Sequence, residues 1–297
     1  MPLHSPLLGR VVTAMATPFH RNGTLDLDGA GRLSSHLVEH GTDTILVCGT
    51  TGESPTLEAN EQLELLAAVR SVCGDRAKLL VGTGSNDTAK ACRMTERATE
   101  GGADAVLVVT PYYNKPNQKG LREHFRAVAA STDLPVLLYD IPGRTAREIS
   151  VGTLLDLAQV SNIVGVKDSA GDLAKTAELL AQAPHDFVVY CGADELNLPM
   201  LALGAAGFVS VAAHVAGPEL ADMARSFEGD PVKAREIHLR LLPLFRALFL
   251  EPSPAPLKAI LNDLGLPAGP VRPPLVDAGG ETLVALRAAL DHAGIPR

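Results

Sequence analysis

The stretch "TILVCGTTGES", Thr44–Ser54, runs an apolar segment straight into a Gly-rich turn that carries two hydroxyls and a carboxylate. An apolar run of this length, bounded by a turn, reads as a buried strand. The same construction recurs along the chain. It is seen in "VVTAMATPF" from Val11, "KLLVGTG" from Lys78, "AVLVVTP" from Ala105 and "PVLLYDIP" from Pro135. It returns in "IVGVKDS" from Ile163, "FVVYCGAD" from Phe187 and "GFVSVAA" from Gly207. With Thr44 these are eight strand candidates, and segments of helical apolar spacing lie between them, such as "LEANEQLELLAAVRSV" from Leu57 and "TAKACRMTERATEG" from Thr88. A glycine ends the second, where a helix stop is expected.

Strands that are apolar on both faces fit a parallel sheet covered by helices, because an antiparallel sheet with one wet face would alternate. Eight βα units in a chain of this length predict a (β/α)8 barrel, an α/β fold of roughly 250 residues. A doubly wound open sheet would carry a Gly-rich dinucleotide fingerprint at its first βα turn, and here that turn reads "TPFHRNG". The barrel is expected over residues 1–229. Residues 230–297, with "AREIHLRLLPLFRALF", "PLKAILNDLG" and "ETLVALRAALDHA" and a Pro-rich break at "EPSPAP", read as a C-terminal helical appendage.

The composition narrows the function. With 46% hydrophobic and 20% charged residues over 297, the chain can bury a large core. A net charge of -8 argues against bulk attraction to polyanions, so nucleic acid is not an expected partner. The start "MPLHSPLLGR" lacks a charged segment followed by a long apolar one, and the apolar runs elsewhere are too interrupted to span a bilayer, so a cytoplasmic protein without membrane contact is expected. Cys48, Cys73, Cys92 and Cys191 form no CxxC pair, and nine histidines form no HExxH or HxH pattern. Reduced thiols, no metal site and organic chemistry are the expectation.

In a (β/α)8 barrel the active site lies at the C-terminal ends of the strands. Those ends carry Thr17, Thr50, Thr51, Glu53, Thr110, Tyr112, Tyr113, Tyr139, Asp140, Arg144, Lys167, Asp168, Asp194 and Ser210, a set rich in hydroxyls. Lys167 follows "IVGV" directly, so its side chain projects from an apolar strand into the mouth, where desolvation disfavours the ammonium and favours the nucleophilic amine. The plainer alternative is a lysine that pairs with Asp168 or reaches solvent. An imine-forming lysine needs proton transfers through its carbinolamine, and Tyr139 on the adjacent strand offers a phenol for them. In "GTTGES", Thr51 and Ser54 either cap the helix starting near Leu57 or, with exposed N–H groups, hold a small carboxylate. Arg144 in "IPGRT" is either a surface arginine or a bidentate partner for a second carboxylate. One lysine, one phenol and two anion sites suggest a keto acid joined to another acid.

The motifs "VTAMATPF", "GTTGES", "VVTPYYNKP", "YDIPGRT", "GVKDS" and "FVSVAAHV", in this order and spacing, make the chain resemble the dihydrodipicolinate (4-hydroxy-tetrahydrodipicolinate) synthases over nearly its whole length. That family belongs to the N-acetylneuraminate lyase superfamily of Schiff-base aldolases. The resemblance implies that Lys167 forms an imine with pyruvate and that Tyr139 donates and accepts protons. It implies that Thr50 relays protons with Tyr113, which reaches into a neighbouring subunit's site. Thr51 and the main chain at Val209 would bind pyruvate, and Arg144 would receive the carboxylate of L-aspartate 4-semialdehyde. No cofactor is implied, and the family's usual assembly is a homotetramer built as a dimer of dimers. Diaminopimelate and lysine biosynthesis is the implied pathway.

Two other readings compete. A related pyruvate-dependent lyase or dehydratase, such as an N-acetylneuraminate lyase or keto-deoxy sugar acid aldolase, shares the lysine and tyrosine, although a sugar site has less use for a carboxylate clamp. A non-catalytic barrel that senses a small acid is the third. Where lysine-inhibited members of the family often carry histidines and a glutamate, this chain has Ala59, Gln62 and Lys90. A cationic Lys90 would repel a lysine ammonium, so weak or absent feedback by L-lysine is expected.

Overall fold

A computed structural model describes residues 7–297; residues 1–6, on which part of the N-terminal reading falls, lie outside the described residues. Eight strands follow one another in chain order around a closed barrel. They are β1 (Val11–Ala14), β2 (Thr44–Val47), β3 (Lys78–Gly82), β4 (Ala105–Val109), β5 (Val136–Asp140), β6 (Ile163–Asp168), β7 (Val188–Cys191) and β8 (Gly207–Ser210). Each lies inside one of the eight stretches expected from the sequence, and the recorded pairings are parallel. Strands β1, β2, β5 and β8 are buried at every position, as a sheet covered on both faces requires.

The described chain divides into two compact units, Leu79–Val209 with Leu7, and Leu8–Lys78 with Ser210–Arg297. In the first unit β4, β5, β6 and β7 pair in sequence, and a slip between Val136 and Leu137 sets the register that places Tyr139 opposite Lys167 and Asp140 opposite Asp168. Its helices are α3 (Thr88–Glu100), α4 (Gln118–Ala129), the single turn α5 (Pro142–Thr145), α6 (Val151–Leu157), α7 (Leu173–Gln182) and α8 (Asn197–Leu203). Helix α3 stops at Gly101 as expected. Asp87, Asn117, Ser150 and Asp172 cap α3, α4, α6 and α7 by accepting from main-chain N–H groups in the first turns.

In the second unit β1 pairs with β2, and α1 (Leu27–Glu39) packs on α2 (Ala59–Cys73). Helix α9 (Ala213–Ser226) packs on β1 and on α10 (Pro231–Ala247), and α12 (Gly280–Ala293) packs on α10 and on α11 (Ala255–Asp263). Helices α10 to α12 coincide with the three C-terminal segments expected. Contact density groups them with β1, β2 and the turn after β2.

Among the described residues, no helix is long and apolar enough to cross a membrane. The four cysteines are free thiols, and burial pushes the Cys48 thiol up to about 12.

Candidate active site

Strands β5 and β6 end side by side, with Tyr139 opposite Lys167. Both residues are buried, at 4% and 5% exposure, and the Lys167 Nζ lies 4.1 Å from the centroid of the Tyr139 ring. The end of the lysine side chain thus packs against the face of the phenol ring. The plainer reading of Lys167 fails on both counts. The side chain does not reach solvent, and Asp168 is committed elsewhere: its Oδ1 accepts from the Ala170 N–H at 2.8 Å and its Oδ2 from the Thr176 hydroxyl at 2.8 Å. Alternation along β6 explains this, since neighbouring residues of a strand point to opposite faces.

Asp140 follows the same logic on β5. Its Oδ2 accepts from Lys175 Nζ at 2.6 Å, its Oδ1 from the Ile149 N–H at 3.2 Å, and Lys175 also meets Glu148 at 2.7 Å. Burial pushes the Asp140 carboxyl up to about 6 against the pull of Lys175. Burial works to lower Lys175, yet attraction to Asp140 and Glu148 outweighs it and the net shift is upward. The segment that follows β5 and carries Arg144 is tied back at Glu148 and Ile149 by these bonds. Arg144 is exposed in α5, with its N–H on the Ile141 carbonyl at 3.0 Å.

Gly192, just after β7, was not singled out from the sequence. A Cβ at this position would fall 2.7 Å from the Lys167 Cε and 2.1 Å from the Ser169 Oγ, so only glycine leaves room for the lysine stem. The buried Ser169 hydroxyl, without a hydrogen-bond partner among the described residues, lies on the same side. A glycine directly after an apolar strand was the available signal. Val209, on β8, is buried at 2%.

The tyrosines are not uniformly buried, as their strand-end positions suggest. Tyr139 and Tyr190 are, but Tyr113 is 87% exposed. Its φ of +71° puts it in the left-handed region, which costs a non-glycine residue on the order of 1 to 3 kcal/mol. The loop is braced by the Asn114 side chain, which donates to the Asn86 carbonyl at 2.7 Å.

In the other unit the "GTTGES" turn leaves β2 and carries Thr50, half-buried, and Thr51, buried at 5%. Neither Thr51 nor Ser54 caps the next helix. Helix α2 begins at Ala59 and is capped by a reciprocal box between Glu58 and Glu61, while Ser54–Thr56 form a single 3-10 turn. Capping therefore does not explain the hydroxyls. Glu53 is buried at 3%, with its carboxylate 2.6 Å from Lys258 Nζ and accepting the Arg272 N–H at 2.8 Å. Burial drives Lys258 below the usual lysine range despite the pull of Glu53.

The model of the dihydrodipicolinate synthetase family matches residues 7–293. The 4-hydroxy-tetrahydrodipicolinate synthase of Moorella thermoacetica is 49% identical over 97% of this chain and 99% of its own. A dihydrodipicolinate synthase of Bacillus anthracis superposes with a TM-score of 0.94 at 45% identity, covering 98% of this chain and 99% of that one. The synthase of Cyanidioschyzon merolae, solved with lysine bound, gives a TM-score of 0.96 at 43% identity over 98% of this chain and all of that one. By matched length and identity, the chain belongs to the dihydrodipicolinate synthetase family.

Proposed function

We propose that the protein is a Schiff-base lyase that condenses pyruvate with L-aspartate 4-semialdehyde to form 4-hydroxy-tetrahydrodipicolinate, in lysine and diaminopimelate biosynthesis. The observation that carries the reading is the state of Lys167. Among the described residues three lysines are buried, Lys167, Lys175 and Lys258, and two of them are bound to carboxylates at 2.6 Å. Lys167 has an aromatic ring against it and no carboxylate, so its nitrogen is available for covalent chemistry.

The neutral amine of Lys167 attacks the keto carbon of pyruvate, and the carbinolamine loses water to give an imine. Loss of a methyl proton yields the enamine, whose carbon attacks the aldehyde and leaves an alkoxide to be protonated. Tyr139, against the lysine, accepts and donates the protons of these steps, with Thr50 and the exposed Tyr113 completing the relay. The substrate's own amine then displaces Lys167 and closes the ring. Thr51 holds the pyruvate carboxylate and the main chain at Val209 also contacts pyruvate, while Arg144 takes the carboxylate of the semialdehyde through its planar fork. The exposure of Tyr113 suits a residue that completes its site across a subunit contact, in the homotetramer usual for this family. No cofactor is needed for a condensation in which no electrons are transferred to or from an acceptor.

Borohydride added with pyruvate tests the first step. The expected result is a mass increase on a Lys167 peptide that requires pyruvate, and no adduct on that peptide would remove the proposal. A second comparison, of L-aspartate 4-semialdehyde with N-acetylneuraminate as substrate, checks the second half-reaction. Turnover of the sugar acid alone would reassign the enzyme within the superfamily.

A further inference from the structure

We infer that Glu53, Lys258 and Arg272 are positioning residues for pyruvate: a buried charge clamp through which the C-terminal segment holds the Thr50–Thr51 turn in its binding geometry. The inference rests on the reading that Thr51 receives the pyruvate carboxylate.

Two non-glycine residues in the left-handed region bracket the turn, Cys48 and Glu53, each with φ of +55°. Each position carries a conformational cost that persists only when surrounding structure imposes it. The turn's own main-chain bonds run 3.1 Å from the Glu53 N–H to the Thr50 carbonyl, 3.3 Å from the Ser54 N–H to the Gly49 carbonyl and 2.9 Å from the Thr56 N–H to the Glu53 carbonyl. Gly52, between Thr51 and Glu53, accepts from the Thr17 hydroxyl at 2.7 Å, and a Cβ there would crowd the Met15 carbonyl at 3.1 Å.

What imposes Glu53 comes from more than two hundred residues away in the chain. One carboxylate oxygen faces Lys258 Nζ, which also donates to the Pro270 carbonyl at 2.8 Å. The other accepts the Arg272 main-chain N–H. The Arg272 guanidinium then reaches past the turn, forking onto Glu61 at 2.5 and 2.8 Å and donating to the Thr56 carbonyl at 2.6 Å. Lys258 and Arg272 both lie over the Phe19 ring, at 4.3 and 4.2 Å. Two cations, one ring and two carboxylates thus fix Glu53 and the helix start after it, and Thr51 sits two residues from the anchored carboxylate. A displacement of about 1 Å at a binding group is enough to cost on the order of 100-fold in rate.

A clamp that serves stability alone and a clamp that positions Thr51 are separated by a charge-neutral variant. Glu53→Gln/Lys258→Met removes both charges and leaves none unpaired, so stability recovers relative to Lys258→Met alone. If the clamp positions the turn, the KM for pyruvate stays raised tenfold or more in the double variant. The rate of borohydride trapping at low pyruvate falls in parallel, while trapping at saturating pyruvate remains near that of the parent. A pyruvate KM that returns to the parent value along with the melting temperature overturns the inference. Should the double variant fail to fold, Arg272→Lys keeps the main-chain bond to Glu53 and loses the fork on Glu61: a raised pyruvate KM supports the clamp, and an unchanged one overturns it. Thr51→Val is the control. If it leaves the pyruvate KM unchanged, the assignment of Thr51 falls and the inference with it. If it raises the KM while the double variant does not, only the inference falls.

Discussion

At the end of β6, Lys167 is buried against a tyrosine ring with no carboxylate, whereas in the unit Leu8–Lys78 with Ser210–Arg297 the more deeply buried Lys258 is locked to Glu53 at 2.6 Å. Both are lysines at low exposure. The difference is in what each nitrogen is committed to. Lys258 is satisfied by an anion and a carbonyl, which makes it a structural cation. Lys167 is committed to nothing that a substrate could not replace. Asp168, the carboxylate next to it in sequence, points to the other face of β6 and is satisfied by Thr176 and Ala170. A buried lysine therefore says little by itself, and its partner decides whether it holds the fold or performs chemistry.

Replacing each lysine by methionine, which keeps the apolar stem, should separate the two roles, and the largest effect falls at β6. Lys167→Met is expected to lower kcat by about 1,000-fold or more, since the proposed nucleophile is gone. The melting temperature should shift little, because no buried carboxylate is orphaned. A variant that retains activity, or that unfolds, would erase the contrast.

Lys258→Met should behave in the opposite way. It leaves the buried Glu53 without its 2.6 Å partner, and breaking a buried pair costs on the order of 3 to 5 kcal/mol. Denaturant unfolding measures this, and a loss below about 1 kcal/mol would mean that the pair does not hold the fold. The adduct on Lys167 should still form at saturating pyruvate wherever the variant is folded.

A pH titration sharpens the comparison, because each unit has its own buried neutral histidine. His214 accepts the Ala16 N–H on Nε2 at 3.1 Å and donates from Nδ1 to the Val211 carbonyl at 2.8 Å. An added proton on Nε2 would face an N–H group. Burial lowers His214 to about 4, and likewise His124, whose Nδ1 meets the Thr88 hydroxyl at 2.9 Å. Between the ordinary 6.5 and about 4 the unfolded chain therefore binds more protons than the folded one. Stability should fall as pH drops through this window, by up to about 3 kcal/mol per histidine at roughly 1.4 kcal/mol per unit. His214→Asn is expected to flatten the dependence of the melting temperature on pH, and a slope equal to the parent's would contradict the neutral buried ring.

The smallest effect expected is weak or none. Gln62 lies one turn into α2 from Ala59, and Lys90 is exposed on α3. L-lysine titrated into the millimolar range should inhibit turnover weakly or not at all, and strong inhibition below 1 mM, on the order of an affinity of 4 kcal/mol or more, would overturn the expectation.

Much of this architecture is local in origin and so was legible before folding. Strand and helix periodicity depends on residues a few positions apart, which is why all eight strands and the three C-terminal helices coincide with their apolar runs. The placement of Lys167 and Tyr139 near strand ends was legible too, because each closes a run whose side-chain direction is set by strand alternation. The clearance at Gly192, the clamp of Lys175 on Asp140 and Glu148, and the Glu53–Lys258–Arg272 cluster were not. Nothing near Glu53 announces that its partners lie beyond residue 250, since hydrogen bonds and ion pairs are short-ranged in space and indifferent to distance along the chain. Composition and pattern determined that a barrel would form and that a lysine would stand at its mouth. Tertiary packing decided which buried lysines are paired and which is free, because only the closed fold brings, or withholds, the carboxylate that makes the difference.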